Sequence, residues 1–175
     1  MKMMLKIIGS VLVIGASTFL GLIFSKNCAK RPYELRTLGI MLQALENELV
    51  YLSNILSDAF KKISKLSDDA VSEIFRDAAR RLEESPGTGA ADAWKKAIKA
   101  NIKNTSLDKE DEEVLLSFGK MLGSTDIEGQ VKNIRLTLEH LKMQELKAEE
   151  KRKSNVPLYR NLGLLLGIAI VLLLF

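Results

Sequence analysis

The sequence contains one histidine and one cysteine, His140 and Cys28, and this scarcity limits the chemistry that the chain can do. His140 lies between Glu139 and Leu141 on a predicted helix, and no serine or cysteine nucleophile accompanies it in a recognisable motif. That setting is typical of a solvated surface histidine. A single cysteine excludes both an intramolecular disulfide and a cysteine-based zinc site. Cys28 is therefore interpreted as a lone thiol.

Motifs that bind nucleotides or nucleic acids are also missing. Neither GxxxxGK[ST] nor GxGxxG occurs, and the net charge of +4 is mild. The carboxylates fall in helix first turns and on charged faces, not as an isolated pair among apolar residues. The basic stretch 147–153 is interrupted by Glu149 and Glu150 and has no aromatic residue to stack on a base. The sequence therefore predicts no enzyme, no catalytic residue, no cofactor, no metal site and no nucleic-acid partner.

The apolar residues concentrate at the two ends of the chain. Residues 7–24 are eighteen without a charge, about 27 Å as a helix, and Lys2 and Lys6 precede them. A cleaved signal peptide is the alternative, but the run is longer than a usual h-region, so we expect residues 1–26 to form a retained transmembrane anchor. The last fourteen residues, 162–175, are also uncharged. Residues 158–175 thus predict a second transmembrane segment, and whether it spans fully stays open.

Two pairs of small residues could let these membrane helices approach closely, although glycine is common in membrane helices in any case. The pairs are Ser17 with Gly21 and Gly163 with Gly167. Lysine and arginine flank the middle of the chain more densely than the termini, so the middle domain, residues 32–153, is expected in the cytoplasm.

The middle domain is organised around one long helix predicted from Pro32 to Leu66. Pro32 suits a first turn, because its missing N–H has no partner there. Apolar residues then recur at alternating steps of three and four, the pattern of a heptad seam; they are Leu35, Leu38, Leu42, Leu45, Leu49, Leu52, Leu56, Ala59, Ile63 and Leu66. Met41, Ile55 and Phe60 widen this stripe, which favours the core of a bundle over an intermolecular coiled coil.

Four further helices follow, and no strand pattern stands out. Ser67 and Ser106 are expected to begin two of them, and a shorter helix over about 90–100 lies between. Gly123 is placed to end the fourth helix, and Thr125 with Glu128 reads as a capping box for the fifth. The predicted fold is all-α, an antiparallel bundle of about five helices flanked by an N-terminal and a C-terminal transmembrane helix.

The segment between the last two helices is more particular than capping requires. Residues 122–130, LGSTDIEGQ, resemble the "LGxsDxxxQ" signature of the stage III sporulation protein AB family. The lysine-flanked first anchor, Arg31-Pro32 before a leucine-rich helix, Ala93-Trp94 after a glycine-containing loop and the short apolar tail agree with that family along the whole chain.

The resemblance implies a function that periodicity cannot show. Members act in endospore-forming bacteria, in a channel complex between mother cell and forespore, and their helical domain is similar to the F-domain of the platform protein of type II secretion and type IV pilus systems. It implies a scaffold at the mother-cell membrane around the forespore that docks the ATPase of the complex, stage III sporulation protein AA, among other channel components of the operon.

Two functional classes stay open at this point. The first is that ATPase-docking scaffold; the second is a membrane-anchored regulatory protein or coiled-coil homo-oligomer with no ATPase partner. Asp126 and Gln130, one turn apart, are the candidates for partner contact, although Asp126 could instead serve only the helix dipole.

Overall fold

The computed structural model describes residues 2–51, 55–85 and 87–174, with side chains except at 2–8, 14, 18, 20–28, 51, 156, 159–160, 163–164 and 173–174. These residues form six α-helices: α1 Lys2–Tyr51, α2 Leu56–Ile63, α3 Ala70–Glu84, α4 Ala90–Asn101, α5 Lys109–Gly119 and α6 Ile127–Leu174. A short 3₁₀ turn, Ile102–Asn104, follows α4. The expected all-α class is confirmed, and no strand occurs among the described residues.

By packing, the chain divides into two compact units. The first comprises residues 1–30 and 147–175, and the second comprises residues 31–146. The second unit contains the C-terminal part of α1, the four helices α2 to α5 and the N-terminal part of α6. The elements of this second unit position the residues that are considered below.

The leucine seam of α1 forms the core of the second unit. Its members from Leu35 to Leu49 are buried: Leu35, Leu38, Leu42, Leu45 and Leu49. Met41, which widens the seam, is fully buried as well. The interpretation of this seam as bundle core is thus correct, because the domain itself covers it and leaves none of these five leucines for a second chain.

The single helix predicted from Pro32 to Leu66 is wrong at both ends. α1 ends at Tyr51, and α2 begins only after Ile55, whose backbone is extended; Leu52 lies outside the described residues. Pro32 is not in a first turn, since α1 runs through it, and α6 likewise runs through Pro157. The break allows α2 to pack on α3, which buries Phe60 and Ile63 and leaves Leu66 exposed.

Helices α2 to α5 pack in sequence around a cluster of four aromatic rings. α2 contacts α3, α3 contacts α4, and α4 contacts α5. Trp94 lies in the middle, with ring centroids 5.4 Å from Phe60, 5.0 Å from Phe75 and 5.4 Å from Phe118. Its indole N–H donates to the Leu115 carbonyl at 2.8 Å. The expectation that Trp94 is a core residue, not a ligand platform, is confirmed, because its ring is fully buried and its polar atom is satisfied.

One part of the predicted fold, the two flanking transmembrane helices, has to be corrected. Within the described part of the chain, no helix has a stretch both long enough and apolar enough to cross a bilayer. The two predicted flanking transmembrane helices, over residues 1–26 and 158–175, are thus not found among the described residues.

Candidate partner-binding surface between α5 and α6

The turn between α5 and α6 is shaped by one glycine. Leu122 is buried beneath the turn, and Gly123 follows it with φ +73°, a conformation that side-chain-bearing residues rarely adopt. A Cβ at this position would also come within 3.3 Å of the Ala90 Cβ. Gly123 thus reverses the chain after α5, as expected, although α5 itself ends four residues earlier, at Gly119.

Asp126 begins α6. Its Oδ1 accepts a hydrogen bond from the backbone N–H of Gly129 at 2.9 Å, which is the bond that an N-cap residue makes to the third helical position. The predicted capping box of Thr125 with Glu128 is therefore wrong, because the helix begins one residue later and Asp126 takes the capping role. The expected favourable position of Asp126 at the helix dipole is consistent with this cap.

Gln130 braces the same turn from inside. Its Nε2 donates to the Thr125 carbonyl at 3.3 Å, and its side chain is half-buried. Two buried side-chain atoms at this turn, Gln130 Oε1 and Thr125 Oγ1, have no hydrogen-bond partner among the described residues. Of the two residues proposed for partner contact, Asp126 is thus displayed to solvent and Gln130 mainly holds the turn that displays it.

The turn is fixed to the core below it by two close contacts. Gly119 packs against Trp94 so closely that an added Cβ would lie 2.2 Å from the Trp94 Cδ1. Asn133 Nδ2, on α6, donates to the Phe118 carbonyl of α5 at 2.9 Å, and both residues are buried. This buried hydrogen bond satisfies one of the last carbonyls of α5, which have no partner within the helix, and it holds α6 in a fixed position against α5.

These contacts hold an exposed set of side chains in fixed positions. We call it the junction surface: Met121, Ser124, Asp126, Ile127 and Glu128. Ile127 is 51% exposed and Met121 40% exposed, although both are apolar. Neighbouring apolar atoms and carboxylates on a rigid turn could bind a protein surface that presents a cation beside an apolar residue.

A buried polar network, which the sequence reasoning missed, ties three helices together elsewhere in the unit. Arg31 of α1 donates to both oxygens of Asp111, at 2.8 and 2.9 Å, and pairs with Asp108 at 2.8 Å and with the Gln144 Oε1 at 3.3 Å. Asp108 and Asp111 also form the capping box of α5, so this helix begins three residues after the predicted Ser106. The hydrogen bond with Asp111 raises the pKa of Arg31, although burial acts against the charge. In the sequence, the spacing Asp-x-x-Asp of Asp108 and Asp111 before an apolar run could have indicated this capping box.

The small residues proposed for helix packing are only partly described. Gly167 is buried and Ser17 half-buried within the first unit, while the surroundings of Gly21 and Gly163 lie outside the described residues, as does the side chain of Cys28. His140 is exposed, as expected. The described residues contain no group of histidine, cysteine and carboxylate side chains that could hold a metal ion.

Comparisons with known proteins agree with the resemblance in residues 122–130. The family model described as stage III sporulation protein AB matches residues 6–175. The chain is 35% identical over 171 residues to stage III sporulation protein AB of Bacillus subtilis (strain 168), covering 98% of this chain and 99% of that protein. It is also similar to the solved structure of a stage III sporulation protein AB, with 34% identity and a TM-score of 0.67, over 71% of this chain and 98% of that one. The chain therefore belongs to the stage III sporulation protein AB family, a family named for its role in sporulation and not for an enzymatic activity.

Proposed function

We propose that this protein is a scaffold of the channel complex that forms between mother cell and forespore, and that its helical unit docks the ATPase of that complex, stage III sporulation protein AA. Family membership supports the sporulation role. The observation that supports the docking role is the junction surface, where a glycine-shaped turn displays Ile127 and the α6 N-cap residue Asp126 to solvent, outside the core.

The chemistry of the junction surface indicates what the ATPase should present. The Asp126 Oδ1 caps α6, which leaves the second carboxylate oxygen for a donor from outside. Ile127 and Met121 flank this carboxylate with apolar surface. An arginine of the partner, with a planar cation that tolerates apolar neighbours, fits such a surface better than a lysine.

Binding of the purified ATPase to the full-length chain is the first experiment. We expect a complex at micromolar concentrations; no binding at those concentrations would contradict the docking role and would favour a regulatory or oligomerisation protein without an ATPase partner. The other channel components of the operon should join the same complex, so the co-purification is repeated from sporulating cells.

A charge-removing substitution then tests the junction surface itself. Asp126→Asn keeps a good N-cap residue but removes the charge, and we expect it to weaken ATPase binding about tenfold or more, the worth of one charge-assisted hydrogen bond. Asp68→Asn is the matched control, because Asp68 is an exposed carboxylate outside the junction surface. Equal binding of the two variants would remove the junction surface from the proposal.

The site of action is proposed to be the mother cell, with the helical unit in its cytoplasm. The exposed cations Lys151 and Lys153 are proposed to contact anionic headgroups of the membrane around the forespore. A deletion strain should recover spore formation when the chain is expressed in the mother cell only. Recovery from expression in the forespore only would contradict this location.

A further inference from the structure

The exposed side of α4 carries three lysines at steps of four residues, which we call the lysine row: Lys95, Lys99 and Lys103. Lys95 and Lys99 belong to α4, and Lys103 belongs to the 3₁₀ turn that continues it. All three side chains are exposed. At 1.5 Å per residue the row is about 12 Å long, with about 6 Å between neighbouring lysines along the helix axis. It is a short line of evenly spaced positive charge.

The lysine row has no counter-charge within the domain. None of its three ammonium groups makes a hydrogen bond or an ion pair to a described residue. The single acid of α4, Asp92, is bound to Lys96 at 2.7 Å. Helix α3 is built differently, since all three of its arginines are paired with carboxylates of the same helix. The domain thus leaves the charge of the row for a partner.

The spacing of the lysine row is unfavourable for the helix itself. Like charges at positions i and i+4 destabilise a helix, and the row contains two such pairs. Lys99 and Lys103 lie at the C-terminal end of α4, where the helix dipole favours a cation. Lys95 lies in the middle of α4, beyond the last turn in which the dipole acts. The fold therefore gives no reason for a lysine at position 95.

A groove between α4 and α5 adjoins the row at Lys95 and adds a fourth lysine. On the α5 side it is lined by Lys120, whose ammonium group also has no partner among the described residues. Leu116 gives the groove an apolar wall. Its two acids are Asp92, which is already neutralised within α4, and Glu113. The groove therefore continues the positive charge of the row across to α5.

We propose that the lysine row binds an acidic helix of another protein, whose carboxylates recur at positions i, i+4 and i+8. Such carboxylates also lie about 6 Å apart along their helix axis, so a helix aligned with α4 places one carboxylate against each lysine. Exposed ion pairs of this kind determine the choice of partner and the rate of association more than the affinity. The lysine row is distinct from the junction surface, and this inference does not depend on the ATPase-docking proposal.

Other anionic partners fit the lysine row less well. α4 buries Trp94, Ala97 and Ile98, and its exposed face has no large apolar side chain that could insert among lipids. Lipid headgroups alone are recognised by clusters of about four to eight cations. Single-stranded nucleic acid requires aromatic side chains beside the cations, and the exposed face of α4 has none. A second copy that met the row across a two-fold axis would bring like charges together.

Two synthetic helical peptides test the spacing. One carries glutamates at i, i+4 and i+8 on one face, and the other has the same composition with the glutamates distributed around the helix. We expect the full-length chain to bind the first peptide about fivefold more tightly in fluorescence anisotropy at physiological salt, because only this peptide can meet all three lysines at once. Equal binding of the two peptides, or no binding of either, would overturn the proposal.

A triple substitution tests the row itself. Lys95→Gln, Lys99→Gln and Lys103→Gln together should weaken binding of the matching peptide about tenfold. The matched control removes the same charge from three exposed lysines outside the row, with the substitutions Lys65→Gln, Lys109→Gln and Lys132→Gln. An equal loss of binding in the control would overturn the proposal.

Vesicles of phosphatidylglycerol and phosphatidylcholine in equal parts separate a protein partner from a membrane. We expect the parent chain and the triple variant of the lysine row to bind these vesicles equally. Vesicle binding that is lost in the triple variant, without binding of the peptide by the parent chain, would assign the row to lipid headgroups and overturn the proposal.

Lys95→Glu separates partner binding from a role in the fold. The substitution replaces the repulsion between positions 95 and 99 by an attractive pair with the glutamate on the N-terminal side, the favoured order. We therefore expect the melting temperature to stay the same or to rise by up to about 2 °C, while binding of the matching peptide weakens about fivefold. A lower melting temperature would assign Lys95 to the fold and overturn the proposal, as would unchanged binding.

Discussion

Replacement of Asp111 by alanine should destabilise the helical unit more than any exposed ion pair can. Asp111 is 0% exposed, accepts two hydrogen bonds from Arg31 at 2.8 and 2.9 Å, and accepts a third from the Asp108 N–H at 2.9 Å. The substitution leaves a guanidinium that is only 12% exposed without its principal partner. Loss of one member of a buried pair costs about 3–5 kcal/mol.

The expected size follows from what remains around Arg31. Asp108 still pairs with the Arg31 Nη2 at 2.8 Å, but its side chain is 41% exposed and therefore compensates in part. We expect a loss of about 3 kcal/mol in the free energy of unfolding, or a decrease of about 6–12 °C in melting temperature for a chain of this size. Urea unfolding followed by circular dichroism at 222 nm measures the free energy directly.

Two control variants define the result that would refute this prediction. Lys61→Ala removes an exposed ion pair with Glu83 and should cost less than about 0.5 kcal/mol. The double variant Arg31→Met with Asp111→Leu should be more stable than Asp111→Ala alone, because no buried charge is left unpaired. If Asp111→Ala costs no more than Lys61→Ala, the reasoning about the buried network is refuted.

Three further predictions concern packing, capping and pH. Gly119→Ala should cost about 1–3 kcal/mol in unfolding free energy, since its Cβ would lie 2.2 Å from the Trp94 Cδ1; no loss in a urea titration would show that the ring can move aside. Asp126→Ala should cost about 1 kcal/mol, whereas Asp126→Asn should cost little; equal losses in the same titration would refute the cap. Burial raises the pKa of Asp77, but hydrogen bonds from Arg80 and Arg81 outweigh it and lower the pKa overall. The stability from Asp77 is therefore present above about pH 4 and lost as the pH falls below it. Asp77→Asn should make the melting temperature fall less steeply with pH in this acid range. An unchanged fall in melting temperature would contradict this prediction.

The core of the helical unit could be predicted from local pattern, because burial follows the spacing of apolar residues along a helix. The five leucines from Leu35 to Leu49 are buried as expected. The helix predicted at 90–100 occurs as Ala90–Asn101, with Trp94 in the core. The signature in residues 122–130 predicted the family correctly, and the comparisons confirm it.

The break after Tyr51 and the polar network could not be predicted in this way. The leucine pattern continues through residues 52–66 without a slip, so no local signal ends the helix. The break is stabilised by aromatic contacts between Phe60 and residues far along the chain, Phe75 and Trp94. Arg31 and Asp111 are likewise 80 residues apart. Similarly, apolar runs at the two ends predicted membrane helices, whereas the described helices contain no span of the required length and hydropathy.

The sequence by itself determined the all-α class, the burial of the α1 leucines from Leu35 to Leu49, the turn at Gly123 and the family to which the protein belongs. These properties depend on neighbours within a few residues, since helical periodicity and backbone conformation are local. The tertiary structure alone decided that Asp111 receives the Arg31 cation from 80 residues away, and that Phe60 packs on Phe75 and Trp94. Those outcomes depend on which distant surfaces the packed helices bring together, and no local pattern encodes that.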